Sequence, residues 1–159
     1  LTVAMVLAEK DTNIVVSNSL FGGSRDLFEE TIPKLGIDVR FCDVADKAKV
    51  ADIVDANTAF VFAEIISNPK LVVPNIAQLK AITIEHNIPL IIDATLTSSV
   101  GFNAKEQGVD VTIYSSTKLF ATNGGAVGGL IVDNGTYDWR QSKFEEVKAS
   151  SKRVHRFAF

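Results

Sequence analysis

A chain of 159 residues, 47% hydrophobic and 22% charged, is long enough for one domain with a real core, able to bury about 70% of its unfolded surface. A net charge of -3 without any block of like charges gives no electrostatic footprint for nucleic acid. The single cysteine, Cys42, excludes a disulfide framework and a cysteine-based metal site, and a reducing, cytoplasmic compartment is expected.

The opening run, Leu1 to Ala8, is too short to span a bilayer and lacks the basic flank and cleavage site of a signal peptide, so no membrane partner is expected. It reads as a helix entered midway, without a cap before its apolar periodicity. The chain closes on His155-Arg156-Phe157-Ala158-Phe159 with no terminating element, and part of a longer chain is expected. Between these ends, short β-branched runs alternate with stretches of helical spacing. Strands are predicted at 13–17, 38–42, 59–63, 89–93, 111–114 and 126–132, and helices at 25–35, 47–55 and 76–86, with a short turn at 104–107. Gly36 suits a helix C′ position and Pro74 a helix start. Such alternation predicts an α/β fold around a mainly parallel sheet, whose ligands gather beyond the carboxyl ends of the strands.

Five features fall at those strand ends: Phe21-Gly22-Gly23-Ser24, Ser67-Asn68-Pro69, Asp93, Ser115 to Lys118, and Asn123-Gly124-Gly125. An acid and a lysine, each ending a buried strand, are what an enzyme needs to hold pyridoxal 5′-phosphate (PLP). The lysine forms the Schiff base, and the acid pairs with the pyridinium nitrogen. Lys118 follows apolar and hydroxyl residues, where partial desolvation favours its neutral, nucleophilic form. Asp93 closes the run Ile88 to Ile92 and is costly to bury without a cation.

The same residues have plainer readings. Lys118 can be a snorkelling surface lysine, Asp93 the N-cap of a helix after Thr95, Phe21 simple core packing, and Asn68-Pro69 a turn. Gly124, Gly125, Gly128 and Gly129 fit backbone turns and close packing, and His86 and His155 are isolated.

Phe21-Gly22-Gly23-Ser24, Ser67-Asn68-Pro69, Asp93-Ala94-Thr95 and Ser115-Ser116-Thr117-Lys118, in this order and spacing, resemble the Cys/Met-metabolism (trans-sulfuration) PLP-dependent enzymes. The resemblance implies a three-layer α/β/α large domain of the fold type I PLP-dependent transferases, with a mixed, mainly parallel sheet. It makes residues 1–159 part of that PLP-binding domain, with an N-terminal phosphate loop and a small C-terminal domain outside the stretch.

It further implies that Lys118 bonds the cofactor and is the catalytic residue, while Asp93 holds the ring nitrogen. Ser115, Thr117 and the Gly22 backbone then contact phosphate, Asn68 the ring hydroxyl, and Phe21 stacks on the ring. Phe21 stands where most members carry Tyr, and Ala94 where Asn is usual, so a hydroxyl linked to proton transfer in γ-elimination is absent from position 21. No metal is implied.

Gly135-Thr136-Tyr137-Asp138-Trp139, with Phe144-Glu145-Glu146 and His155, is similar to the O-acetylhomoserine sulfhydrylase branch. The expected reaction is γ-replacement in methionine biosynthesis: O-acetyl-L-homoserine and sulfide giving L-homocysteine and acetate. The alternatives are a methionine or cystathionine γ-lyase, a cystathionine γ-synthase, and, in another class, a non-catalytic α/β binding module. Expected partners are an amino-acid substrate, sulfide, and copies of the chain in a homodimer or homotetramer with shared active sites. The stretch alone is expected to bind PLP poorly.

Overall fold

Six strands form one sheet in the order β2-β1-β3-β4-β5-β6. The computed structural model describes residues 1–118, 121 and 124–142. The strands are β1 Asn13–Ser17, β2 Asp38–Cys42, β3 Thr58–Glu64, β4 Leu90–Asp93, β5 Val111–Ser115 and β6 Gly129–Asp133. The first five pair in parallel, and β6 runs antiparallel to β5. The helices are α1 Thr2–Leu7, α2 Gly22–Asp26, α3 Lys47–Ile53, α4 Ile76–Glu85 and α5 Ser98–Gly101.

Every residue of β1 and β3 is buried, because central parallel strands are covered on both faces. Alternation then divides their side chains between two cores. Val15, Val61, Ala63 and Ile92 point to one face, against Val50 of α3 and Leu79 and Ile82 of α4. Ile14, Val16, Phe60, Phe62 and Ile91 point to the other, against Ala4 and Leu7 of α1 and Phe28 and Ile32. Helices on both faces make this the three-layer α/β/α fold that the family resemblance implies, around the mainly parallel sheet that the alternating pattern predicts.

The boundaries differ in instructive places. The helix expected at 25–35 starts earlier, at Gly22, and then changes its hydrogen-bond spacing. Leu27–Thr31 is a π turn and Ile32–Leu35 a 3-10 turn, with the Ile32 N–H bonded to the Leu27 carbonyl. Pro33 explains the break, since it donates no N–H and its ring crowds the carbonyl four residues back. Gly36 ends the segment at φ +79°, in the left-handed region, as its placement predicts.

The helix expected at 47–55 stops at Ile53, capped at its start by the Asp46 side chain. The helix expected at 76–86 stops at Glu85, and Asn75 caps its start. Strand β3 extends one residue beyond expectation at each end, and so takes in Glu64. Strand β6 begins only at Gly129, because the Gly128 carbonyl accepts the Ser116 N–H and the Gly128 N–H bonds Thr117 Oγ1. The 104–107 region is a turn, as expected.

The amino edge of the sheet is closed by polar bonds. Asp110 is fully buried, accepts the Leu90 N–H at 2.8 Å, pairs with Lys80 at 2.7 Å and accepts from Thr136 Oγ1 at 2.7 Å. Asp55 accepts from Asn13 Nδ2 at 2.8 Å and pairs with Arg40 at 2.6 Å. Cys42 is buried at the end of β2, where burial and the neighbouring Asp43 push its thiol up to about 11. No helix among the described residues is long and apolar enough to cross a membrane.

Candidate active site

The strand order reverses between β1, which neighbours β2 on one side, and β3, which leads to β4 and β5 on the other. Loops leaving adjacent strands in opposite directions open a crevice at their carboxyl ends. A cleft of about 410 Å³ lies there, lined by Phe21 and Ser24 from the β1 side and by Glu64, Ile66 and Asn68 from β3. Asp93, Thr95 and Leu96 after β4, with Ser115 and Lys118 after β5, complete it. Its size is at the lower end of the roughly 300–1,000 Å³ typical of small-ligand sites.

Five predicted residues therefore meet: Phe21, Asn68, Asp93, Ser115 and Lys118. Phe21 is 50% exposed, which excludes simple core packing for its ring. A side chain on Gly23 would place its Cβ 3.1 Å from Phe21 Cε1, so the bare glycine gives that ring its room. The Asn68–Pro69 peptide bond is cis.

Asp93 uses Oδ1 to accept the Thr95 N–H at 2.8 Å, which turns the chain sharply after β4. That local bond replaces the predicted alternative of a cap for a following helix, since α5 starts only at Ser98. Thr95 in turn accepts the Ser115 N–H through Oγ1 at 2.8 Å, tying the β4 loop to the end of β5.

Three expectations change. Lys118 is exposed, because β5 ends at Ser115 and a turn, closed by the Lys118 N–H on the Ser115 carbonyl, carries it out of the sheet. Burial therefore does not supply the desolvation expected of it. Thr117 lies outside the cleft lining, with its hydroxyl on the Gly128 backbone, where it braces the lysine turn. Gly22 also lies outside the lining, at the first position of α2.

Glu64 is the residue that sequence reading missed. It is 7% exposed, and its Oε1 accepts the Phe21 N–H at 2.8 Å while its Oε2 accepts the Asn68 N–H at 3.2 Å. Burial holds its carboxyl above the ordinary range; the Phe21 and Asn68 amides pull it down, and Asp93 pushes it further up. The available signal was an acid directly following the wholly apolar run 59–63.

The segment Gly135 to Trp139 lies at the other edge of the sheet. Tyr137 Oη donates to the Asn87 carbonyl at 3.0 Å, Trp139 Nε1 to Asp133 at 2.7 Å, and the two rings meet edge-on at 4.8 Å. Asn87 precedes β4 and Asp133 ends the antiparallel β6, so this segment packs at the amino ends, away from the cleft. Asn123, Phe144, Glu145, Glu146 and His155 lie outside the described residues. Among the described residues, no group of three or more His, Cys, Asp or Glu is placed to hold a metal ion.

The family model for Cys/Met metabolism PLP-dependent enzymes matches residues 1–153. The chain belongs to that family. An O-acetyl-L-homoserine sulfhydrylase of Leptospira meyeri is 34% identical over 153 residues, covering 96% of this chain and 35% of the relative. The solved O-acetylhomoserine sulfhydrylase of Wolinella succinogenes superposes with a TM-score of 0.87 at 35% identity, over 96% of this chain and 43% of that one. A Campylobacter jejuni structure described as an O-acetylhomoserine (thiol)-lyase, with a pyridoxyl-lysine monophosphate, gives 0.79 at 30% identity, over 81% and 32%.

The chain thus spans about a third of the length of the curated relatives it matches. The Cys/Met metabolism family is PLP-dependent, and the cleft's residue types fit that cofactor: an amine, a carboxylate, an aromatic face, an amide and a hydroxyl around one space.

Proposed function

We propose that this cleft is the PLP site of an enzyme carrying out γ-replacement on O-acetyl-L-homoserine. Sulfide forms the new C–S bond, the γ C–O bond breaks, and L-homocysteine and acetate leave. The observation that carries the reading is the meeting of Lys118 and Asp93, distant in sequence, on one cleft at the β1/β3 reversal. The names of the relatives at about a third identity support the substrate. The Gly135 to Trp139 segment contributes nothing to the cleft.

When bound, PLP supplies an electron sink for negative charge at the substrate α-carbon. Lys118 Nζ would hold the cofactor's aldehyde carbon, and its free amine would serve as the base that moves the substrate α-proton. The Asp93 carboxylate, one oxygen of which accepts the Thr95 N–H, would keep a proton on the ring nitrogen. Phe21 would offer an aromatic face to the ring, Asn68 its amide to the ring hydroxyl, and Ser115 its hydroxyl to the phosphate.

Thr117 holds the lysine turn through Gly128. Residues 1–159 are read as part of the PLP-binding large domain, with the remaining phosphate and carboxylate contacts outside this stretch and in a partner copy.

The test loads the purified full-length protein with PLP. A visible absorption band and borohydride trapping on Lys118 are expected, and both should vanish in Lys118→Ala. Homocysteine formation from O-acetylhomoserine and sulfide should exceed ketoacid release from methionine or cystathionine; dominant ketoacid release defeats the sulfhydrylase reading.

A further inference from the structure

We propose that Glu64 is a positioning residue of the cofactor site: one carboxylate spans the β1/β3 reversal and sets Phe21 and Asn68 at a fixed separation across the cleft. The inference rests on the PLP reading of that cleft and adds a residue to it.

Phe21 follows β1 and Asn68 follows β3, so the residues proposed to meet the ring face and the ring hydroxyl stand on loops that leave the sheet in opposite directions. The loops gain a common anchor through Glu64, whose two oxygens accept one backbone N–H from each, at 2.8 Å and 3.2 Å. A carboxylate that is 7% exposed is costly to keep. A single acceptor on its own loop would satisfy the Phe21 N–H just as well. The carboxylate does what a local acceptor cannot: it couples two loops. Charge-assisted bonds to backbone N–H groups are short and directional, which suits a group that sets geometry.

Glutamine is the informative replacement. It keeps the length of the side chain, but its amide nitrogen faces one of the two N–H groups as a second donor, so only one loop remains held. Aspartate keeps the charge and withdraws it by one methylene, beyond simultaneous reach of both loops.

Three measurements decide the matter on wild type, Glu64→Gln and Glu64→Asp. Hydrogen exchange of the apo proteins should show the amides of Phe21, Asn68 or both exchanging about tenfold faster or more in each variant, with Val15 and Val61 unchanged. The dissociation constant for PLP should rise about tenfold or more. The visible circular dichroism of bound PLP, which reports ring orientation, should change in amplitude or sign.

Unchanged exchange at both amides, or a uniform rise across β1 and β3, overturns the inference. So does PLP binding within about twofold of wild type with the same dichroism. Full-length wild-type protein that takes up no PLP overturns the cofactor reading together with the inference, whereas wild-type uptake with indifferent full-length variants overturns the inference alone.

Discussion

Glu64 and Asp93 are direct partners in the parallel ladder of β3 and β4. Partners in register point to the same face, so two acids stand side by side on neighbouring strands about 4.8 Å apart. The Asp93 charge raises the proton affinity of Glu64, and a cation between them and the cleft relieves the repulsion. A protonated ring nitrogen is such a cation.

Replacing Asp93 by Asn should therefore have two separable effects. The Glu64 carboxyl should titrate lower than in wild type, because the neighbouring charge is gone, although burial remains the largest influence on it. Carbon-13 detected titration of the apo protein reads this directly. Turnover of the PLP-loaded protein should fall on the order of a hundredfold, the usual cost of losing one preorganised electrostatic group.

At Gly23 two effects oppose each other. Alanine is favoured over glycine in a helix by at most about 1 kcal/mol, and by less in the first turn of α2, so the melting temperature should hold or rise slightly. Its Cβ, however, would sit 3.1 Å from the Phe21 ring and must push that ring by a few tenths of an ångström. Weaker PLP binding, by several-fold, is expected from Gly23→Ala in an absorbance titration, without loss of stability.

Lys80 and Asp110 make a pair whose carboxylate is fully buried and whose lysine side chain is 17% exposed. Lys80→Met leaves that carboxylate without its cation and should cost about 3 kcal/mol or more in urea unfolding. The double variant with Asp110→Asn should recover much of the loss, because no charge is then stranded.

Arg40 beside Asp55, with the Asn13 amide, holds the Asp55 carboxyl well below the usual carboxylate range. A depressed value means that the folded state binds fewer protons than the unfolded one. The contribution is therefore whole above the unfolded value of 3.8 and is lost as pH falls below it. Asp55→Asn should melt lower than wild type near neutral pH, and the gap should close in strong acid.

The sheet was legible because β1 and β2 carry unbroken β-branched or alternating runs, and their ends match expectation. Asp93 and Lys118 were legible because each follows an apolar strand, so residue type and position coincide. Glu64 was not, since its role comes from two backbone groups on loops brought together only by the strand reversal. Lys118 was misjudged for burial because the exit of the turn after Ser115 depends on Gly128, a contact formed across the antiparallel pair. The Thr117 hydroxyl meets the same Gly128, a contact formed only once the chain turns.

Cys42 leaves a practical opening. A thiol at about 11 carries roughly one thiolate in ten thousand molecules near neutral pH, and its burial shields even that fraction. With no other cysteine in the 159 residues, a cysteine introduced at an exposed position such as Val100 or Ile84 would react alone. Single-site fluorophores or spin labels could then follow α4 and α5 without first removing the native thiol.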